Sequence, residues 1–159
     1  MIKDVSSYVK NCPAYQKVKP QSASSPPFTG SLFAHKPFEC LSKDTMGPFP
    51  EDQYNNKFIF VIVCDFTRFC ILYPAPANDA HQAAQALINR VFCFFCLPLK
   101  IRSDKGSEYI NDAISLTYKS LKIDSINSFP HHHASNGIVE RRNREVLISL
   151  KKMLLEFQD

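Results

Sequence analysis

The sequence predicts an α/β fold, a mixed sheet covered by helices, and three observations carry this. Residues 58–64 form an unbroken apolar run of strand length, the pattern of an internal strand buried on both faces. Residues 80–91 set Ala80, Ala83, Ala84, Leu87, Ile88 and Val91 at helical spacing. From residue 38 onward the expected order is strand, strand, strand, helix, strand, helix, strand, helix, which is that of a sheet with helical crossovers.

Each element follows from local chemistry. Residues 38–44 read as a weakly patterned strand that ends at Asp44. Residues 69–73 are short and β-prone, and Pro74 closes them. Asn78 or Asp79 can cap the first helix of the series, since a short polar side chain accepts from the free N–H groups of the first turn. Residues 99–103 alternate as a strand, and Asp104-Lys105-Gly106 breaks it. A helix is expected over 111–121 and an irregular strand over 123–129. The last helix carries Val139, Val146, Leu150, Met153, Leu154 and Phe157 on one face, with Ser135 or Asn136 as its cap.

Size and composition set outer bounds. The chain has 159 residues, enough for one domain with flanking material, and 45% of them are hydrophobic, enough for a real core. A net charge of +4 is compatible with a polyanionic partner but equally with an ordinary soluble domain. The first residues lack the apolar stretch of a signal peptide, and no run reaches the ~20 apolar residues of a membrane span. An intracellular, soluble chain without a membrane partner is expected. The six cysteines then read as reduced thiols, with Cys93 and Cys96 as core residues at the end of an apolar helix. Residues 20–36 contain a Ser/Pro-rich stretch with the character of an extended linker.

Three acids stand where such a fold gathers functional groups. Asp44 and Asp104 fall at strand ends, and Glu140 falls in the first turn of the last helix, separated from Asp104 by 35 residues. Three carboxylates brought together would repel one another unless a cation neutralised them. Hard oxygen donors suit Mg²⁺ or Mn²⁺, and two such ions suit phosphoryl transfer on nucleic acid. Each acid also has a plain alternative. Asp104 fits a turn, Glu140 fits a helix start or a pair with Arg144, and Asp44 fits an ordinary loop. Asn136 and Gly137 suit close phosphate approach at a helix start or simple capping, while Arg141 and Arg144 suit DNA phosphates or a solvated basic face.

The flanking strings resolve part of this. Pro37-Phe38-Glu39 with Asp44-Thr45-Met46-Gly47-Pro48, then Ile101-Arg102-Ser103-Asp104-Lys105-Gly106-Ser107-Glu108-Tyr109, then Ser135-Asn136-Gly137-Ile138-Val139-Glu140-Arg141 occur in that order. Together they resemble the catalytic core of retroviral-type integrases, in particular those of gypsy-class LTR retrotransposons. The resemblance implies a ribonuclease-H-like fold, a five-stranded mixed sheet flanked by helices, truncated at its C-terminal side. It implies that Asp44, Asp104 and Glu140 are both catalytic and metal ligands, holding two Mg²⁺ or Mn²⁺ ions. It also implies 3′-end processing and strand transfer of element DNA into target DNA, with Asn136, Gly137, Arg141 and Arg144 at the DNA. A nuclear setting and a possible homo-oligomer follow. Asp65 matches an acid of this family that is not a ligand and reads as structural, while Glu108 reads as polar surface.

The sequence departs from the pattern in places. Residues 1–19 resemble the end of the zinc-binding domain that precedes such cores, yet Tyr15 replaces the second Cys and no His pair precedes Cys12. No zinc is therefore expected in this chain. His133 replaces a Pro, and Cys96 replaces a Gly. The expected organisation is a zinc-domain remnant over 1–19, a linker over 20–36 and an integrase core over 37–159. The competing expectation is a catalytically inactive, retrotransposon-derived remnant that binds nucleic acid or protein.

Overall fold

The structure is a computed structural model and describes residues 2–18, 34–103, 112–127 and 133–156. In chain order the elements are α1 (Ile2–Asn11), α2 (Pro13–Val18), β1 (Cys40–Met46), β2 (Phe58–Cys64), β3 (Cys70–Ala75) and α3 (Ala80–Leu87). A π-helical turn (Ile88–Phe92), β4 (Lys100–Ser103), α4 (Asp112–Ser120), β5 (Asp124–Asn127) and α5 (His133–Glu156) follow. The chain divides into two compact units, residues 29–142 and residues 1–28 with 143–159.

The larger unit is built on one five-stranded sheet in the order β3-β2-β1-β4-β5. β1 pairs antiparallel with β2 and parallel with β4, so the sheet is mixed, as the sequence predicts. The apolar run of β2 lies between β3 and β1, and Phe60, Val61, Ile62 and Val63 are fully buried there. Leu41, Phe60, Ile62 and Ile101 form a core with Ala83, Ala86, Leu87 and Val91 from the adjoining helical segment. Asp79 caps α3, its carboxylate accepting the Gln82 N–H at 2.8 Å.

Several boundaries differ from expectation, each for a physical reason. β1 continues past Asp44 to Met46 because β2 keeps pairing as far as Ile59. The helix expected through residue 91 changes to a π turn at Ile88, where the Cys93 N–H bonds the Ile88 carbonyl. That extra residue per turn leaves Ile88 exposed while Leu87 and Val91 stay buried. Cys93 and Cys96 are exposed rather than core residues. Phe92 packs against the core instead, and the Phe95 ring, itself part-exposed, stacks on Phe38 at 3.9 Å. Residues 1–19, read without secondary structure, contain α1 and α2, and in this smaller unit Lys152 Nζ lies 4.0 Å over the Tyr15 ring. No helix among the described residues is long and apolar enough to cross a membrane.

Gly47 closes β1 with φ +132, a conformation that side chains rarely adopt. A Cβ there would meet the Lys57 carbonyl oxygen at 2.6 Å and Phe58 Cδ1 at 2.9 Å. Gly47→Ala is expected to lower unfolding free energy by roughly 2 kcal/mol or more, from backbone strain and the clash together. Urea titration checks this, and a loss within ~0.5 kcal/mol, the scale of a neutral surface change, would contradict it.

Candidate active site

The parallel register of β1 and β4 sets the site. Cys40 is opposite Lys100, Ser42 opposite Arg102 and Lys43 opposite Ser103. The described β4 ladder stops there, so Asp44 is the first residue of β1 beyond it, while on its other side Asp44 still pairs with Val61. Its side chain is half-buried, and one carboxylate oxygen accepts the Thr45 N–H at 2.8 Å. Asp104 follows Ser103 in the sequence and lies outside the described residues.

Glu140 lies in the backbone of α5, and its side chain is likewise outside the described residues. The helix starts at His133, before the expected cap at Ser135 or Asn136. Glu140 is therefore about two turns inside the helix rather than in its first turn. Asn136 and Gly137 are also internal. Their low helix propensity marks a start in the sequence, but propensity is a weak prior that a long helix overrides. Arg141 and Arg144 are exposed on α5. Among the described residues no three His, Cys, Asp or Glu side chains come together. Of the three expected metal ligands, the description thus covers the Asp44 carboxylate.

A buried polar cluster lies toward the start of β1 and reaches Ser42, two residues before Asp44. Asp65 follows the last residue of β2, and its side chain and that of Arg102 are 4% and 5% exposed. Arg102 Nη1 lies 3.2 Å from Asp65 Oδ2, and the Ser42 hydroxyl donates to Oδ1 at 2.6 Å. The Cys40 thiol donates to Oδ2 at 3.1 Å, and the Asp65 N–H donates to the Cys40 carbonyl at 3.0 Å. Burial, followed by the adjacent Asp65 charge, pushes the Cys40 thiol up to about 12. At neutral pH it is thus a neutral donor, not a nucleophile. This is a structural setting for Asp65, in keeping with its reading as a non-ligand. Arg102 was not singled out in the sequence. Arg68, three residues after Asp65, is the nearer cation in the sequence, so the pairing with Arg102 depends on the fold.

Lys43 sits between Ser42 and Asp44 and, by strand alternation, shares the opposite sheet face with Leu41. It is 6% exposed, and burial draws its ammonium down to about 8.

The family model described as integrase core domain matches residues 34–133. The retrovirus-related Pol polyprotein from transposon 412 of Drosophila melanogaster is 32% identical over 144 residues, covering 91% of this chain and 12% of that protein. The Pro-Pol polyprotein of feline foamy virus is 30% identical over 157 residues, covering 98% of this chain and 13% of that protein. The chain therefore spans about one-eighth of these relatives' lengths. Among solved structures, the integrase catalytic core of HTLV-2 in complex with magnesium, in its dimeric form, superposes with a TM-score of 0.61 at 19% identity. It covers 76% of this chain and 74% of the HTLV-2 chain. The catalytic core of BIV integrase gives a TM-score of 0.57 at 24% identity, covering 76% and 72%. These likenesses establish the ribonuclease-H-like fold.

The depressed Lys43 value has a consequence for stability against pH. Between pH 8 and the ordinary lysine value of 10.5 the unfolded chain holds the extra proton, so stability rises with pH in that window. Above pH 9 the raised Cys40 thiol opposes this, because there the folded state holds the proton. The urea midpoint is expected to rise between pH 8 and 9, and Lys43→Met is expected to reduce that rise. The remainder comes from the Cys64 thiol, which against the effect of burial is held below its ordinary value by hydrogen bonds from Thr67. An equal rise in Lys43→Met would contradict the assignment.

Proposed function

Because the chain belongs to the integrase core domain family, we propose that it carries out metal-dependent polynucleotidyl transfer on DNA. The observation that carries this reading is the β1–β4 register, which sets Asp44 beside the strand end that leads into Asp104. In this reading Asp44, Asp104 and Glu140 are the catalytic carboxylates and hold two Mg²⁺ or Mn²⁺ ions. A half-buried carboxylate just past the end of the described β1–β4 ladder fits such an ion, because its donors are hard oxygens and the burial limits competing water. The ions supply activation of an attacking oxygen and neutralisation of a leaving oxygen when bound.

The chain's own residues do the rest. Asp44 is oriented by the Thr45 N–H, which fixes its carboxylate relative to the strand. Arg141 and Arg144 are exposed and take DNA phosphates, and Asn136 and Gly137 let the DNA backbone approach α5 closely. Water attacks element ends first, releasing 3′-hydroxyls, and those hydroxyls then attack target DNA. The partners are element ends and target DNA, the setting is nuclear, and the working form is a homo-oligomer. The proposed organisation is a zinc-domain remnant over 1–19, a linker over 20–36 and the core over 37–159. The dimeric form described for the HTLV-2 core supports self-association, and its magnesium supports the choice of metal.

Disintegration of a branched oligonucleotide by the purified chain with Mn²⁺ tests the reading. Asp44→Asn and Glu140→Gln are each expected to reduce the rate by on the order of 10²-fold or more, the scale lost with one charge-stabilising group. Activity absent from the wild type, or retained in Glu140→Gln, would overturn it. A separate check concerns the arginines. Arg144→Ala is expected to weaken DNA binding for all sequences alike and to flatten the slope of log K against log salt by about 0.9, as for one lost phosphate contact. An unchanged slope would remove Arg144 from the interface.

A further inference from the structure

We infer that Asp65 is a positioning residue for the metal-ligating carboxylate of Asp44, acting through the buried Ser42–Asp65–Arg102 bridge. The inference rests on the reading of Asp44 as a metal ligand given above.

The geometry carries it. Ser42 and Arg102 are directly opposite each other in the parallel β1–β4 ladder. The Asp65 carboxylate takes the Ser42 hydroxyl at 2.6 Å on one oxygen and the Arg102 guanidinium at 3.2 Å on the other. It therefore clamps one cross-strand pair from the end of β2, joining three segments at a single point. Ser42 and Asp44 are alternate residues of one strand, so their side chains leave β1 on the same face, one pleat apart. Arg102 likewise precedes Asp104 by two residues in the sequence. A displacement of Ser42 is transmitted to Asp44 through two peptide units of regular strand, which have little freedom to absorb it. Loss of a hydrogen bond made directly to a metal-binding carboxylate commonly lowers metal affinity 10–100-fold, and a support one pleat away is expected at the low end of that range.

A purely structural ion pair would behave differently. Replacing a buried pair with apolar side chains of similar volume is often neutral or stabilising, because two charges no longer need to be taken out of water. The double variant Asp65→Leu with Arg102→Met also leaves the net charge unchanged. A fall in metal affinity in that variant then cannot come from a change in net charge, and stability and metal binding separate.

The experiment measures Mn²⁺ affinity of the purified chain by isothermal titration, beside thermal unfolding without metal. Wild type is expected to bind Mn²⁺, and Asp44→Asn is expected to lose that binding. The double variant is expected to keep a cooperative unfolding transition while its affinity falls by about tenfold or more. Ser42→Ala removes one hydrogen bond and no charge, and is expected to lower affinity several-fold in a folded chain. It serves as the readout if the double variant does not fold. Wild-type affinity in the folded double variant or in Ser42→Ala, with Asp44→Asn still unable to bind, would overturn the role of Asp65 alone. Absence of Mn²⁺ binding in wild type, or full binding in Asp44→Asn, would overturn the metal-ligand reading on which it rests.

Discussion

A carboxylate and a guanidinium, both almost wholly shielded from water, must find each other inside this sheet, and much of the architecture follows from that requirement. Unpaired, either charge would cost several kcal/mol. Paired as Asp65 with Arg102, they are satisfied when the end of β2 reaches the β1–β4 ladder at Ser42. Because side chains alternate along a strand, a slip of one residue would turn Ser42 and Arg102 to the other face and strand the Asp65 charge. The apolar run of β2, with Leu41 of β1 and Ile101 of β4, supplies the driving force for collapse, but apolar burial is tolerant of small shifts. The ion pair and its two additional donors are not, and they fix the register.

That register decides what stands at each end of the sheet. At the end where β1 and β4 finish, it leaves Asp44 half-buried, just past the last described β4 pair and held by a backbone N–H. At the opposite end, where β1 begins, the chain is pinned by the Asp65 contacts to Cys40 and also by aromatic packing. Phe38 adopts a positive φ of 59, unusual for an aromatic residue. Its N–H meets the Cys64 sulfur at 3.2 Å, and its ring stacks on Phe95 and meets Phe69 edge-on. One end of the sheet is thus closed by aromatic packing and the other is left with a carboxylate at its rim. The chain belongs to the integrase core domain family.

The parts of this arrangement legible in the sequence are those decided by local pattern. The β2 run has a single reading because every residue from 58 to 64 is apolar or Cys, and the bounds match. Asp79 was legible as a cap because the chemistry lies within three residues. The order of strands and helices followed from alternation of periods, and the family from three ordered motifs. What was not legible depends on distant contacts. Arg102 looks like one more surface cation until Asp65, far away in sequence, is brought to it. Cys93 and Cys96 look like core residues until the π turn and the stacking of Phe95 rotate them outward. The start of α5 lies earlier than its local signals suggest, because Asn136 and Gly137 favour a helix boundary while the helix runs through them. At the candidate site, the position of Asp44 was nearly legible: the strand runs two residues further than its pattern suggests.

The account stands or falls on whether the carboxylate at the rim of β1 holds a divalent ion. Anomalous diffraction from crystals of the chain grown with Mn²⁺ addresses this directly, because manganese is identified by its own scattering. The predicted result is two manganese peaks, one or both with an Asp44 carboxylate oxygen in the first coordination sphere and with Asp104 and Glu140 completing the carboxylate set. Manganese bound elsewhere on a folded chain, with Asp44 turned away from it, would contradict the account.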